Sequence, residues 1–459
     1  MNKLLTRTLF AIAFVFVLLG NVTLAQDKAQ DRRQYIQPGT NTTDNPRRVP
    51  LPPDFMQPEG SIVLTGGRVF DATGAPARPA SILIEGNRIT AILPPESQDW
   101  SKDAKVLDVG GKTVMPGLID MHVHMAYKEL DGLFPSHDSD ADAALRSVER
   151  LRFYIESGIT TVRDVGSVGV VPFRLKSWVM QHRLPLPRIF AAGQLIVGTG
   201  GHGTEGGDFD ATMRQASGPD DWREAVREQF ARGADLIKIA SHFSLAEITA
   251  AVVEAHELGL KVTVDAETFY IQRAVEAGAD TIEHPLPRSA ETIKLMAKND
   301  TESIPTLIPY NYIFDLAGGY WGSTSRRFSF SKEANRKMLR DLRKAGIKMG
   351  IGTDLVADWF RALPAPYIAE LQEFVTAGYS IPEVLITATR TNAEILDMED
   401  KLGTLEPGKL ADLIVIDGKP DENLQDIANV ELVIRDGEIV VKDGRVFIPR
   451  HQPKDAQSW

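Results

Sequence analysis

From residue 113 to residue 354 the chain alternates short apolar runs with amphipathic stretches, eight times over. The runs fall at 113–124, 160–165, 188–196, 235–240, 261–266, 280–284, 303–308 and 348–353. Most are followed by a helical pattern. Residues 245–258, with apolar positions at helical spacing, are an example. Parallel strands need long crossovers, and a helix after each strand supplies them. Eight such units predict an α/β fold, a closed (β/α)8 TIM barrel, whose functional side chains gather at the C-terminal ends of the strands.

The flanks have another texture. Short strands with glycine turns occupy 60–109, and strands at 412–416, 430–435 and 438–441 are joined by Asp436-Gly437 and Asp443-Gly444. Two strand-rich ends around a long middle predict one small β-sandwich built from 56–112 and 397–450, leaving 113–396 for the barrel. Ahead of it, Lys3 and Arg7 precede an apolar stretch at 9–19 and a small-residue site at Thr23-Leu24-Ala25. This is the pattern of a signal peptide over 1–25, followed by a polar, flexible leader over 26–55. An exported, periplasmic protein is expected, with no stable membrane span after cleavage.

Composition removes several classes of function. A formal net charge of -11 argues against nucleic acid as a partner. The absence of cysteine excludes disulfides, thiolate zinc sites and a cysteine nucleophile.

The strand ends carry the chemistry. The first closes Pro116-Gly117-Leu118-Ile119-Asp120-Met121-His122-Val123-His124. Side chains alternate along a strand, so His122 and His124 share a face and their imidazoles converge on one divalent cation. The other reading, two surface histidines closing a strand, is disfavoured by ligand candidates at later strand ends. Lys238 interrupts an apolar strand and faces opposite to Ile237 and Ile239. Beside cations its amine is driven to the neutral form, which captures carbon dioxide and becomes a bridging carbamate. A snorkelling or ion-paired lysine is the plainer alternative.

Asp265 closes the fifth strand, as metal ligand or as helix cap, and His284 closes the sixth as a further imidazole. Asp354 follows Gly350-Ile351-Gly352-Thr353, placed to deprotonate an activated water or to cap the next helix. His202, in Gly198-Thr199-Gly200-Gly201-His202-Gly203, is placed to polarise a substrate carbonyl or bind its carboxylate, unless that loop is purely structural.

These residues resemble the amidohydrolase superfamily from about residue 61 to about 446. The strongest markers are residues 114–124 and Gly403-Thr404-Leu405-Glu406-Pro407-Gly408-Lys409-Leu410-Ala411-Asp412-Leu413, with Thr387-Ala388-Thr389 and Asn392-Ala393 in support. Gly200-Gly201-His202-Gly203 and Ile282-Glu283-His284 resemble the imidazolonepropionase-like and Xaa-Pro dipeptidase-like branch, which hydrolyses cyclic amides or dipeptides. The resemblance implies two divalent ions, zinc by default. His122, His124 and Asp354 would hold one, His284 and Asp265 the other, with carboxylated Lys238 between them.

In one place the chain departs from that pattern. Asp265-Ala266-Glu267 stands where the family has histidine, and an oxygen ligand there tilts the preference towards manganese or a similar ion.

The expected activity is hydrolysis of an amide-type C–N bond in a small molecule or dipeptide, with Asp354 and His202 catalytic and a homo-oligomer as the expected state. Two alternatives remain open: a mononuclear deaminase using Glu267, and a catalytically silent ligand-binding barrel. Specificity loops are expected at 125–139, 204–218 and 310–330. In the last, Tyr310, Tyr312, Tyr320 and Trp321 either line a pocket or pack a lid, and Arg326 and Arg327 either meet a substrate carboxylate or are plain surface charge.

Overall fold

The computed structural model describes residues 58–127, 139–204, 212–317 and 331–450. The expected signal peptide and leader lie outside these residues, as do Tyr320, Trp321, Arg326 and Arg327 and most of the three expected specificity loops. Among the described residues no helix is long and apolar enough to cross a membrane.

Eight parallel segments build the barrel. Leu118–Val123, Ile159–Asp164 and Arg188–Ala191 form one sheet. Leu236–Ala240, Lys261–Asp265, Thr281–Glu283 and Glu302–Ile304 lie in another. One or two backbone bonds at each junction join them and the last segment. Asp235 N donates to Ala191 O at 2.9 Å, Gly350 N to Ser303 O at 2.9 Å, and Met121 N to Ile351 O at 3.0 Å. The last segment, 348–353, therefore forms bridges rather than a full strand. Its glycines explain why: a Cβ on Gly352 would stand 2.9 Å from the backbone nitrogen of His122. The close approach that brings this segment against the first strand tolerates no side chain at that position.

Alternation places the side chains. Ile237, Ile239, Val262 and Val264 pack outward with Ile248, Ala251, Val252, Ala255 and Ile271 of the covering helices. Lys238 and Thr263, paired in register, occupy the intervening positions and so face the interior. The helix Leu245–Glu257 starts at a capping box, in which Ser244 accepts from Glu247 N and Glu247 from Ser244 N.

The flanks form two sheets around a separate apolar core that includes Leu64, Ile82, Ile84, Val114, Leu413, Val415 and Ile434. The expected single strand 113–124 is in fact two. Thr113–Pro116 pairs with Leu413–Ile416 in the sandwich, and Leu118–Val123 begins the barrel. The break is at Gly117, where a Cβ would meet Thr160 Oγ1 at 2.0 Å. Pro116 just before it has no N–H to continue a ladder. The expected strand 188–196 is likewise divided, into Arg188–Ala191 and Leu195–Gly198. The latter pairs with a further strand, Met213–Ala216, whose polar sequence gave no strand signal. The apolar run 303–308 ends as a strand at Ile304, and the helix Leu307–Ala317 takes over.

Candidate metal centre

The C-terminal ends of the barrel segments bring together the residues that the spacing singled out. His122 is fully buried and His124 nearly so. Their Nε2 atoms are 3.2 Å apart. Asp354 Oδ1 lies 3.5 Å from the first and 3.3 Å from the second. Ligand atoms about 2.0 Å from a tetrahedral ion stand roughly 3.3 Å from one another, so these three donors could hold one metal ion.

The outer nitrogen of each imidazole is already committed. His124 Nδ1 is 3.1 Å from Gly166 O, and a carbonyl can only accept. His122 Nδ1 is 2.7 Å from Glu283 Oε2, in a site where burial, and after it Lys238, lowers the imidazole pKa to about 3. A neutral ring donating from Nδ1 presents a bare lone pair at Nε2. Where both rings are neutral, two such lone pairs and a carboxylate oxygen face one another. Lone pairs crowded in this way repel unless a cation sits among them.

Glu283, quoted in the Ile282-Glu283-His284 motif without a role, is the residue that sequence reasoning missed. It is fully buried and accepts from Arg163 and Thr263 as well as facing His122. Burial pushes its carboxyl up, but Arg163, His122 and Lys238 together hold it well below the ordinary carboxylate range. Asp120 is a second such support. Its carboxylate accepts from the backbone nitrogens of His122 and Thr353 and from Thr353 Oγ1, tying the first barrel segment to the last.

His284 and Asp265 stand beside this group. His284 Nε2 is 3.1 Å from Asp265 Oδ2, its Nδ1 is 2.7 Å from Thr306 Oγ1, and its ring centroid is 4.8 Å from that of His122. His202 Nε2 reaches within 3.6 Å of the same Asp265 oxygen. Lys238 is 2% exposed, and its Nζ has no hydrogen-bond partner. Burial lowers its pKa, and the carboxylates of Glu283, Asp265 and Asp354 oppose that shift without cancelling it. The mouth thus gathers all six expected ligands and His202. Glu267 is held differently: Ser241 Oγ donates to it at 2.6 Å, and its other oxygen faces His242 Nε2 at 3.5 Å.

Two of these residues sit in strained backbone. His284 has φ 65° and Asp354 has φ 47°, left-handed values that cost a side-chain-bearing residue roughly 1–3 kcal/mol. Asp354 N donates to His122 O at 2.7 Å and His284 N to Ile304 O at 2.9 Å, which locks both turns. The capping alternative for Asp354 does not describe what its carboxylate does here, since both oxygens face imidazoles.

Similarity to known proteins agrees with this geometry. The chain is 25% identical to an imidazolonepropionase of Geobacillus kaustophilus (strain HTA426), over 80% of this chain and 91% of that protein. It is 23% identical to an ochratoxinase of Aspergillus niger, over 84% of this chain and 86% of that protein. Its fold matches a crystal structure of a prolidase complexed with N-methylphosphonate-L-proline at a TM-score of 0.75 and 30% identity, covering 83% of this chain and 100% of that one. A Xaa-Pro dipeptidase with bound methionine in the active site matches at 0.73 and 29% identity, covering 83% and 99%. The model of the amidohydrolase family matches residues 113–440, and with the barrel, the sandwich and the histidine-lined mouth in place, this chain belongs to the amidohydrolase family.

Proposed function

We propose that this protein is a metal-dependent hydrolase of amide-type C–N bonds, acting on a dipeptide or a cyclic amide. The observation that carries the reading is the convergence of His122 Nε2, His124 Nε2 and Asp354 Oδ1, with a fixed outer partner on each ring. The relatives, an imidazolonepropionase, an ochratoxinase and a prolidase, suggest the substrate class.

His122, His124 and Asp354 would hold one divalent ion, zinc by donor type, and His284 and Asp265 a second. Such ions lower the pKa of water to about 7 and polarise a carbonyl. Lys238 completes the set. Its neutral amine would add to carbon dioxide, an N–C bond forming as one C=O π bond opens and the N–H proton leaves to solvent. The carbamate, with Asp265 and Asp354, would supply the negative charge that two divalent ions need. Asp354 takes the proton of the attacking water and delivers it to the leaving nitrogen. His202, at the rim beside Asp265, donates to the substrate carbonyl or its carboxylate.

Metal-depleted protein, reloaded with zinc, should hydrolyse members of a panel of dipeptides, including Xaa-Pro, and cyclic amides, and it should be inactive before reloading. Full loading without turnover anywhere on the panel would favour the silent ligand-binding barrel and overturn this reading. Ammonia release from an amino-substituted ring by protein holding a single ion would point instead to the deaminase.

A further inference from the structure

The two halves of the centre are built unequally. In the first half, the outer nitrogens face Glu283 Oε2 at 2.7 Å and Gly166 O at 3.1 Å, which leaves the inner Nε2 atoms of His122 and His124 turned towards each other and towards Asp354 Oδ1. In the second half, the outer partner of His284 is a hydroxyl, Thr306 Oγ1 at 2.7 Å. A hydroxyl can donate as well as accept. Thr306 can give its proton to Nδ1, leaving Nε2–H to donate to Asp265 Oδ2 at 3.1 Å. Every polar atom of that chain is then satisfied without a cation. An ion entering the second half displaces this internal hydrogen bond, whereas the first half already brings three ligand atoms, two Nε2 and Asp354 Oδ1, to within 3.5 Å of one another.

The donors differ in kind as well. The first half offers two imidazoles and one carboxylate, and the second one imidazole and one carboxylate. Imidazole suits zinc, whereas carboxylate oxygen and water suit manganese and magnesium. Resting on the two-ion reading above, we propose that the centre is chemically split. The His122–His124–Asp354 half retains a zinc-class ion, and the His284–Asp265 half holds a readily exchanged ion of the oxygen-preferring manganese class.

The test uses full-length protein loaded with zinc and dialysed against excess manganese. Metal content is read by mass spectrometry, and bound manganese by its electron paramagnetic resonance spectrum. One zinc and one manganese per chain is the expected result, and Asp265→His should keep two zinc ions through the same dialysis. Asp265→Asn should lose the second ion and keep the first, which preserves the test if the histidine variant does not fold. Retention of both zinc ions by the unaltered protein, or exchange of both together, would overturn the proposal while leaving the hydrolase reading intact. A protein that takes up no metal at all would overturn both.

Discussion

Two clusters of buried charge in this molecule are managed in opposite ways. Where the barrel meets the sandwich, Arg188 Nη2 lies 2.7 Å from Asp436 Oδ1 and 3.3 Å from Asp412 Oδ2, and Arg435 Nη1 is 3.0 Å from Asp436 Oδ2. Two guanidinium groups meet two carboxylates, and Asp436 N closes the group by donating to Asp412 Oδ1. At the barrel mouth, Lys238 Nζ is buried with no partner and two imidazole lone pairs face a carboxylate. The first cluster sets each guanidinium against a carboxylate of the chain and fastens two layers. The second leaves its lysine without a carboxylate partner and gathers atoms of metal-ligating type. Charge pairing within the chain serves architecture in the first, and its absence leaves room for chemistry in the second.

The contrast is open to direct attack. Asp354→Asn should cut hydrolysis by about 10²–10⁴-fold, the range of a lost general acid–base, with little change in the urea midpoint. Arg188→Leu should do the reverse. Stranding Asp412 and Asp436 in the interior should cost about 3–5 kcal/mol of stability, while kcat of the folded fraction stays unchanged. If Arg188→Leu instead lowered kcat without lowering stability, the division of labour would be wrong. Glu283→Gln tests the support between the two extremes. Metal affinity, read by competition with a chelating dye, should fall about 10–100-fold, the usual cost of losing the outer partner of a ligating histidine.

A last test concerns pH. Burial pushes the Glu370 carboxyl up to about 8, even though it accepts from Leu307 N and Ile308 N. The folded state binds this proton more tightly than the unfolded chain. Its contribution is therefore fully present below the ordinary value of 4.5 and is lost as pH rises through 8. Urea melts of metal-free protein between about pH 5 and 8 should show a decline that Glu370→Gln flattens.

The parts of the site legible in sequence are those set by local periodicity. His122 and His124 share a face because strands alternate. Lys238, Asp265, His284 and Asp354 could be placed because each closes or interrupts an apolar run. What escaped depends on distant partners. Glu283 sits in a quoted motif, yet its role requires Arg163, 120 positions away in sequence, and the Nδ1 of His122. The break at Gly117 depends on Thr160, and the hydroxyl that frees His284 from needing a cation belongs to Thr306. A continuous apolar run such as 113–124 also carries no internal sign of which of two sheets each half will join.

That break sets the order in which the molecule becomes competent. The strand leading directly into the histidine pair lies between the short strand Arg68–Val69 and Leu413–Ile416, and only the latter links it to the hairpin Val430–Arg435 and Glu438–Lys442. During synthesis the first two ligands emerge well before Leu413–Ile416, the strand that fastens the approach to them. Until that strand is made, the segment leading into His122 and His124 is held in the sandwich from the Arg68–Val69 side alone, so the ion trap is braced by a stretch of chain about 290 residues downstream of the histidines it steadies.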